Sequence, residues 1–226
     1  MMKSKAIASL LLLIPAPSVG VLFGMILFPG TPIGKGLFLF TKIWLLAMPA
    51  LWFFLVEKGL PTPGKTGRGG YAVGLTSGLL ISVFVVGAAL LLGKSLIDGD
   101  FFKEMMHEVG LDSKKRYIGA AVYWVVVNSV LEEYVWRWFV VRQFEQVLGR
   151  IGGIVASAFC FTLHHYLVMQ VYFSTTVAAL CALFVFLGGV WWSWMYVRYK
   201  TIWPGWLSHA LVDLAVFGTG YGLIFG

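Results

Sequence analysis

The stretch YIGAAVYWVVVNSVLEEYVWRWFVV, residues 117–141, decides the fold class of this chain. Most of its side chains are apolar or aromatic, and a helix of this length crosses a hydrocarbon core of roughly 30 Å at about 1.5 Å per residue. Yet Glu132, Glu133 and Arg137 lie inside the run. A charge at the centre of a membrane span costs about 2.5–3.5 kcal/mol. The stretch therefore predicts a membrane helix whose charges have partners or a function.

The composition extends this interpretation to the whole chain. Of the 226 residues, 59% are hydrophobic and only 12% are charged, whereas a soluble domain carries about 25% charged residues. The mean hydropathy is +0.86, and long apolar runs recur from end to end. These runs do not alternate with polar residues, which argues against an outer-membrane barrel. Because backbone groups find no water in lipid, the spans must be helices.

We therefore expect an all-α, polytopic transmembrane helical bundle of about seven spans. Residues 1–226 are expected to form a single membrane domain, with three spans in 1–93 and a four-span core in 117–225. In the connection between them, FFKEMMHEVGL places apolar residues at helical spacing, which predicts a short interfacial helix near 100–110. The predicted spans are 6–28, 36–56, 71–93, 117–141, 151–173, 175–197 and 201–225.

The net charge of +7 is explained by basic residues at the ends of spans, with no need for a nucleic-acid partner. Placed on one side, these residues predict a cytoplasmic N-terminus in a multi-pass protein of the cell membrane. We expect the first span to be retained, because its apolar run is too long for a signal peptide. The two cysteines, Cys160 and Cys181, are interpreted as core residues. The basic residues used are Lys3, Lys5, Lys58, Lys65, Arg68, Arg142, Arg150, Arg198 and Lys200.

Ionisable side chains at membrane depth are concentrated in three spans of the second half. Left unpaired, three acids and one arginine would cost on the order of 10 kcal/mol by simple addition. They must therefore be paired, protonated or exposed to a wet cavity, and they are functional candidates for this reason. Lys42 lies nearer the end of its span and is expected to snorkel to the interface. The others are Glu132, Glu133, Arg137, His164, His165, His209 and Asp213.

Helical spacing indicates which of these groups can meet. Glu133 and Arg137 are four residues apart and share a helix face, so an ion pair is expected. Glu132 is turned about 100° away from Glu133, since a helix has about 3.6 residues per turn. Asn128 shares the face of Glu132. This leaves the Glu132 carboxylate facing a cavity, as a candidate general base.

Two further spans contribute imidazoles. FCFTLHHYL puts Phe161 and His165 on one face, with His164 rotated off it. WLSHALVDL puts His209 one turn before Asp213. An acid in that position can fix the tautomer and orientation of an imidazole. Two histidines and a glutamate are also a zinc-binding set, although no H-E-x-x-H pattern demands a metal.

Three motifs resemble those of the CPBP family, which contains CAAX proteases and bacteriocin-processing or Abi proteins. EEYVWR, residues 132–137, resembles EExxxR, and FTLHH, residues 161–165, resembles FxxxH. HALVD, residues 209–213, resembles a third motif in which Asn or Asp follows a histidine by four residues. The resemblance covers about 117–217, and the first three spans match only in being hydrophobic.

The resemblance implies an intramembrane endopeptidase with a glutamate-activated water. Glu132 would activate the water with the help of His165, and His209 with Asp213 would stabilise the oxyanion. Glu133 and Arg137 would support the site, beside Asn128. No cofactor is expected, with a zinc-dependent version of the same protease as the alternative. Since Asp213 cannot donate a hydrogen bond as an Asn would, unless it is protonated, we expect it to orient His209.

Two other functions remain open. A non-catalytic bacteriocin-immunity or binding protein could share the fold, but retention of all the polar positions favours the protease. A proton-coupled transporter would also place Glu, His and Asp in the membrane, but the small size and the lack of paired repeats count against it. The expected partners are the lipid bilayer and a protein or peptide substrate with a C-terminal membrane anchor or a lipidated tail.

Overall fold

The computed structural model describes residues 2–59 and 70–226. Of the residues in these ranges, 91% are helical, and no strand occurs among them. Lys65 and Arg68, which contributed to the predicted orientation, lie outside these ranges. The α-helices are α1 (Met2–Leu13), α2 (Pro15–Val21), α3 (Pro32–Trp52), α4 (Gly70–Leu96), α5 (Gly99–Glu108), α6 (Lys114–Val122), α7 (Ser129–Glu132), α8 (Arg142–Tyr172), α9 (Thr175–Tyr199) and α10 (Trp203–Phe225).

Several segments are π-helical, with each N–H bonded to the carbonyl five residues earlier. They are π1 (Leu22–Leu27), π2 (Phe53–Glu57), π3 (Tyr123–Asn128) and π4 (Glu133–Val141). π3 and π4 enclose α7, a single turn that ends at Glu132. The sequence predicted regular α-helical spacing through this region, and that prediction was wrong. Wider turns of this kind occur often at functional sites.

N-cap side chains define the first residue of several helices. The side chain of Thr31 accepts a hydrogen bond from the Gly34 N–H, and Pro32 occupies the first turn of α3. Asp98 and Ser113 cap α5 and α6 in the same way. Each such cap satisfies an N–H that has no partner within the helix.

The membrane prediction is confirmed by the length and composition of the helices. In the described part of the chain, six helical runs are long and apolar enough to cross a membrane. One of them, Lys114–Tyr172, is 59 residues long. It is interrupted at Gly149, where φ is 74° and ψ is −179°, a conformation that favours glycine. The break divides this run into the fourth and fifth predicted spans, and the chain is an all-α polytopic bundle.

The short helix predicted near 100–110 is present as α5. Phe102 and Met106 are buried on its inner face and pack with Tyr117 in one cluster. Phe102 also stacks on Phe173, with ring centroids 5.9 Å apart. α5 therefore covers the end of the bundle, and its location in the membrane interface stays a prediction.

Small residues bring α4 and α10 into close contact. A Cβ added at Gly74 would collide with the backbone of Pro204, and one at Gly78 would lie 2.9 Å from the Cα of Ser208. Ser77 Oγ donates a hydrogen bond to Ser208 Oγ at 3.2 Å. Small residues at four-residue spacing allow this approach between membrane helices. Because α10 carries His209, this contact helps to position the polar residues of the bundle.

Gly74→Ala should destabilise the protein, because the new methyl group meets backbone that cannot move aside. Overpacking of this kind costs about 1–3 kcal/mol. The measurement is thermal unfolding of the purified protein in detergent. Gly87→Ala is the matched control on the same helix, since a Cβ there meets nothing within 4 Å. An equal melting temperature for both variants would contradict the close contact.

Candidate active site

The polar residues predicted from three separate spans come together in the structure. Glu132 Oε1 lies 4.0 Å from His165 Nε2, and Glu132 Oε2 lies 3.6 Å from His209 Nε2. Asp213 Oδ1 lies 3.7 Å from the same nitrogen of His209. Side chains of α7, α8 and α10 thus converge around the Glu132 carboxylate, whose side chain is 14% exposed. All four residues proposed as catalytic belong to this cluster.

Glu133 connects the cluster to a buried cation. Its Oε1 lies 3.3 Å from Arg137 Nη1, and both side chains are 0% exposed. The same oxygen accepts a hydrogen bond from His209 Nδ1 at 3.0 Å. The spacing correctly predicted the Glu133–Arg137 pair. It also predicted that Asp213 would orient the His209 ring. The structure gives the hydrogen bond at Nδ1 to Glu133 instead, because π4 turns this carboxylate toward α10.

Aromatic rings enclose the charged groups. The Arg137 guanidinium carbon lies 4.4 Å from the centre of the Phe161 ring and 5.2 Å from that of Trp192. His209 stacks on Trp192, with centroids 4.1 Å apart, and His165 lies 4.3 Å from Phe161. Aromatic faces attract a cation and exclude water from it. The phenylalanine of FTLHH is therefore the packing centre that joins Arg137 to the histidine of the same motif.

Hydrogen bonds restrict the tautomers of the two imidazoles. His165 Nδ1 lies 2.9 Å from the Phe161 carbonyl oxygen, and a carbonyl only accepts, so this nitrogen carries the proton. In the neutral ring, Nε2 therefore presents a lone pair toward Glu132. His209 Nδ1 donates to the Glu133 carboxylate by the same reasoning. Its Nε2 faces Glu132 and Asp213.

Asn128 and Lys42 extend the cluster into the N-terminal half of the chain. Asn128 Nδ2 donates to Glu132 Oε1 at 2.8 Å, which agrees with their predicted common face. Lys42 Nζ donates to Asn128 Oδ1 at 3.2 Å. Lys42 was expected to snorkel to the interface, and this was wrong. Its ammonium points into the bundle, because a hydrogen-bond acceptor is available there.

A cavity opens beside Glu132. The cavity has a volume of about 40 Å³, which is more than the roughly 10–15 Å³ that one water molecule needs. Apolar side chains form most of its wall, and polar groups line one part of it. These polar residues are Lys42, Asn128, Glu132 and His164.

His164 is a site residue that the sequence argument placed off the functional face. It is 8% exposed, stacks on Trp136 with centroids 5.4 Å apart, and lines the cavity with Glu132. The sequence did not indicate a role for His164, because the FxxxH pattern that begins at Phe161 selects His165. Lys42 was missed because its partner is 86 residues away in sequence. A basic residue inside an apolar run is the sign that the sequence offered.

The donor atoms near Glu132 also suit a metal ion. One ligand atom each from Glu132, His164 and His165 lies within 4.8 Å of the other two. A carboxylate and two imidazoles are ligands that zinc accepts. The three residues are therefore of the types that bind zinc, and small shifts of their side chains would bring the ligand atoms to bonding distance of one ion.

The fold and the site together define a class: a multi-pass α-helical membrane protein with a buried acid–histidine cluster. Residues 114–215 match the model of the family described as type II CAAX prenyl endopeptidase, Rce1-like. This part of the chain is similar to that family of proteases, and the resemblance of the three motifs is confirmed. The match includes Glu132, His165, His209 and Asp213, and it excludes α1 to α5. Comparison with curated proteins and with solved structures finds no match.

Glu133 and Arg137 should be strongly coupled in stability. Glu133→Gln leaves a buried guanidinium without its counter-charge, and removing one partner of a buried pair costs about 3–5 kcal/mol. Arg137→Met should be costly for the converse reason. The double variant should recover part of the loss, as measured by thermal unfolding in detergent. Strictly additive effects would contradict the pair.

Proposed function

We propose that this protein is an intramembrane endopeptidase that cleaves a peptide bond near the C-terminus of a membrane-anchored substrate. The similarity of residues 114–215 to a protease family supports the reaction class. The observation that carries the mechanism is the position of Glu132, within 4.0 Å of both His165 and His209 and beside a water-sized cavity. This arrangement supplies a base, a second proton carrier and an electrophilic group in one place.

Glu132 is the general base of the proposed reaction. Its carboxylate takes a proton from a water molecule, and the oxygen of that water attacks the carbonyl carbon of the substrate. His165 Nε2 has a lone pair on the same side and helps to orient the water. The hydrogen bond from the Asn128 side-chain amide to Oε1 fixes the orientation of the Glu132 carboxylate. The carboxylate therefore needs no reorientation during the reaction.

His209 is the proposed electrophile. As the carbon–oxygen double bond opens, its electron pair forms an oxyanion, which an N–H at His209 Nε2 can stabilise. With Nδ1–H donated to Glu133, this requires a doubly protonated ring. The carboxylates of Glu132, Glu133 and Asp213 favour that cation by proximity. The carbon–nitrogen bond then breaks, and the leaving nitrogen takes its proton from Glu132, which yields a carboxylic acid and an amine.

The proposed substrate is an extended, lipid-anchored tail. A helical peptide has its carbonyls engaged in internal hydrogen bonds, so an extended segment is attacked more readily. The family description points to prenylated C-terminal tails, and the exposed apolar side chains of the bundle suit a substrate that approaches through lipid. The proposal places the protein in the cell membrane with a cytoplasmic N-terminus, which the basic residues at the span ends support.

A zinc-dependent version of the same protease is the second candidate, and the close grouping of Glu132, His164 and His165 favours it. These residues would hold the ion, and a bound zinc would polarise the substrate carbonyl or a water molecule. Elemental analysis of active protein decides between the two versions. One zinc per chain that is needed for activity would replace the metal-free mechanism.

Glu132→Gln should abolish cleavage and leave a folded protein. General acid–base catalysis contributes about 10²–10⁴-fold, so the loss should be at least about 10²-fold. The measurement is cleavage of a prenylated peptide that ends in a CAAX sequence, followed by mass spectrometry, with protein reconstituted in lipid vesicles. Glu104→Gln, at an exposed glutamate on α5, is the control and should keep full activity.

Full activity of Glu132→Gln would contradict the assignment of the base. If neither wild type nor control cleaves the peptide, membrane proteomics of a deletion strain tests other substrates, such as surface proteins with C-terminal sorting anchors and bacteriocin precursors. Absence of any protein that keeps an uncut terminus would favour the non-catalytic binding protein.

A further inference from the structure

We infer that Lys42, on the second membrane-spanning run, is a positioning residue of the active site that acts on Glu132 through Asn128. The inference rests on the proposed function and deepens it. Lys42 lies outside the segment that matches the protease family, so the motifs do not assign it any role. The site would then need both halves of the chain, and the four spans of 117–225 would not be a sufficient catalytic core.

A continuous line of contacts joins the three residues. Lys42 Nζ donates to Asn128 Oδ1 at 3.2 Å, and Asn128 Nδ2 donates to Glu132 Oε1 at 2.8 Å. An amide side chain can be turned end for end, and only one orientation presents Nδ2 to the carboxylate. Since an ammonium can only donate, its contact with Oδ1 fixes that orientation. Lys42 and Glu132 thereby favour the same orientation of Asn128, and the Lys42 contact holds the amide in it.

The position of Lys42 is costly without such a role. It lies near the middle of α3, where a charge in hydrocarbon is unfavourable. Its ammonium is 5.1 Å from the centre of the Trp124 ring and 5.6 Å from that of Phe38, so aromatic faces hold it in place. The side chain lines the cavity with Asn128 and Glu132, which brings its charge close to the carboxylate.

The geometric consequence concerns the second oxygen of Glu132. With Oε1 occupied by Asn128, Oε2 is the atom that faces His209, 3.6 Å from Nε2. A carboxylate held in this way directs its free lone pairs to the place where the water and the substrate carbonyl would meet. If Asn128 turned over, its Oδ1 would face Oε1 instead and repel it. The base would then rotate away from the productive geometry.

The test is a kinetic comparison of Lys42→Met, Lys42→Arg, Asn128→Ala and the double variant Lys42→Met/Asn128→Ala, with the prenylated CAAX peptide as probe. Lys42→Met should lower kcat by about 10- to 100-fold with little change in KM, because a misplaced base costs of this order. Lys42→Arg should restore a substantial part of kcat, since it retains a cationic donor. In the Asn128→Ala background, Lys42→Met should have little further effect.

Lys35→Met is the matched control. Lys35 is an exposed lysine two turns earlier on α3, and its loss should leave kcat unchanged. Wild-type kcat in Lys42→Met would overturn the inference. So would additive losses in the double variant, a loss confined to KM, or a loss that follows the melting temperature across the set.

Thermal unfolding of the same proteins needs no substrate and separates this inference from the proposed function. Coupling between Lys42→Met and Asn128→Ala in melting temperature supports the contact even if wild-type protein cleaves no probe, an outcome that counts against the proposed function alone. Independent, additive shifts in melting temperature would overturn the inference in either case.

Discussion

The buried charge of Arg137 is the constraint on which the arrangement of this bundle depends. A guanidinium with no exposed surface needs a counter-charge close by, and Glu133 supplies it one turn away. Glu133 also accepts the hydrogen bond of His209, while Phe161 and Trp192 flank the cation. One buried ion pair thus ties π4 to α8, α9 and α10. The polar groups of separate spans meet because each of them contacts this pair or its neighbours.

The same constraint explains the two adjacent glutamates. Glu133 is fully buried and committed to Arg137 and His209, so it cannot take part in proton exchange with a substrate-bound water. Glu132 points elsewhere, keeps a small exposed fraction, and borders the cavity. One carboxylate therefore holds the framework while its neighbour remains available for chemistry. A single glutamate could not satisfy both requirements, since the first demands a dry environment and the second a wet one.

Most of the fold, and the residues that form the candidate active site, could be predicted from the sequence. Long apolar runs predict spans from composition alone, and the expense of charges in lipid singles out Glu132, His165, His209 and Asp213. Local spacing also predicted the contact of Asn128 with Glu132, which lies within one continuous helical run. These successes share a cause, because each depends on residues that are near in sequence or on a property of a whole span.

The motif resemblance predicted that three spans meet, but several individual contacts between distant spans could not be predicted from the sequence. The partner of His209 Nδ1 is Glu133, 76 residues away, and only the packing of π4 against α10 decides it over the nearby Asp213. Lys42 and His164 line the cavity because of the way α3 and α8 are rotated about their axes in the bundle. The periodicity of a single helix cannot predict that rotation. The π-helical turns on either side of α7 have no sequence signal that we could identify. They change the directions of side chains that a regular helix would have placed differently.

The central claim is that the carboxylate of span four and the imidazole of the last span meet inside the bundle. Cysteine cross-linking in native membranes tests this directly, with Glu132→Cys and His209→Cys combined in a Cys160→Ala/Cys181→Ala background. Dibromobimane fluoresces strongly once both of its arms have reacted with thiols. We predict strong fluorescence from the double variant and almost none from either single-cysteine protein. Two accessible thiols that react separately and never join would contradict the convergence, and with it the proposed active site.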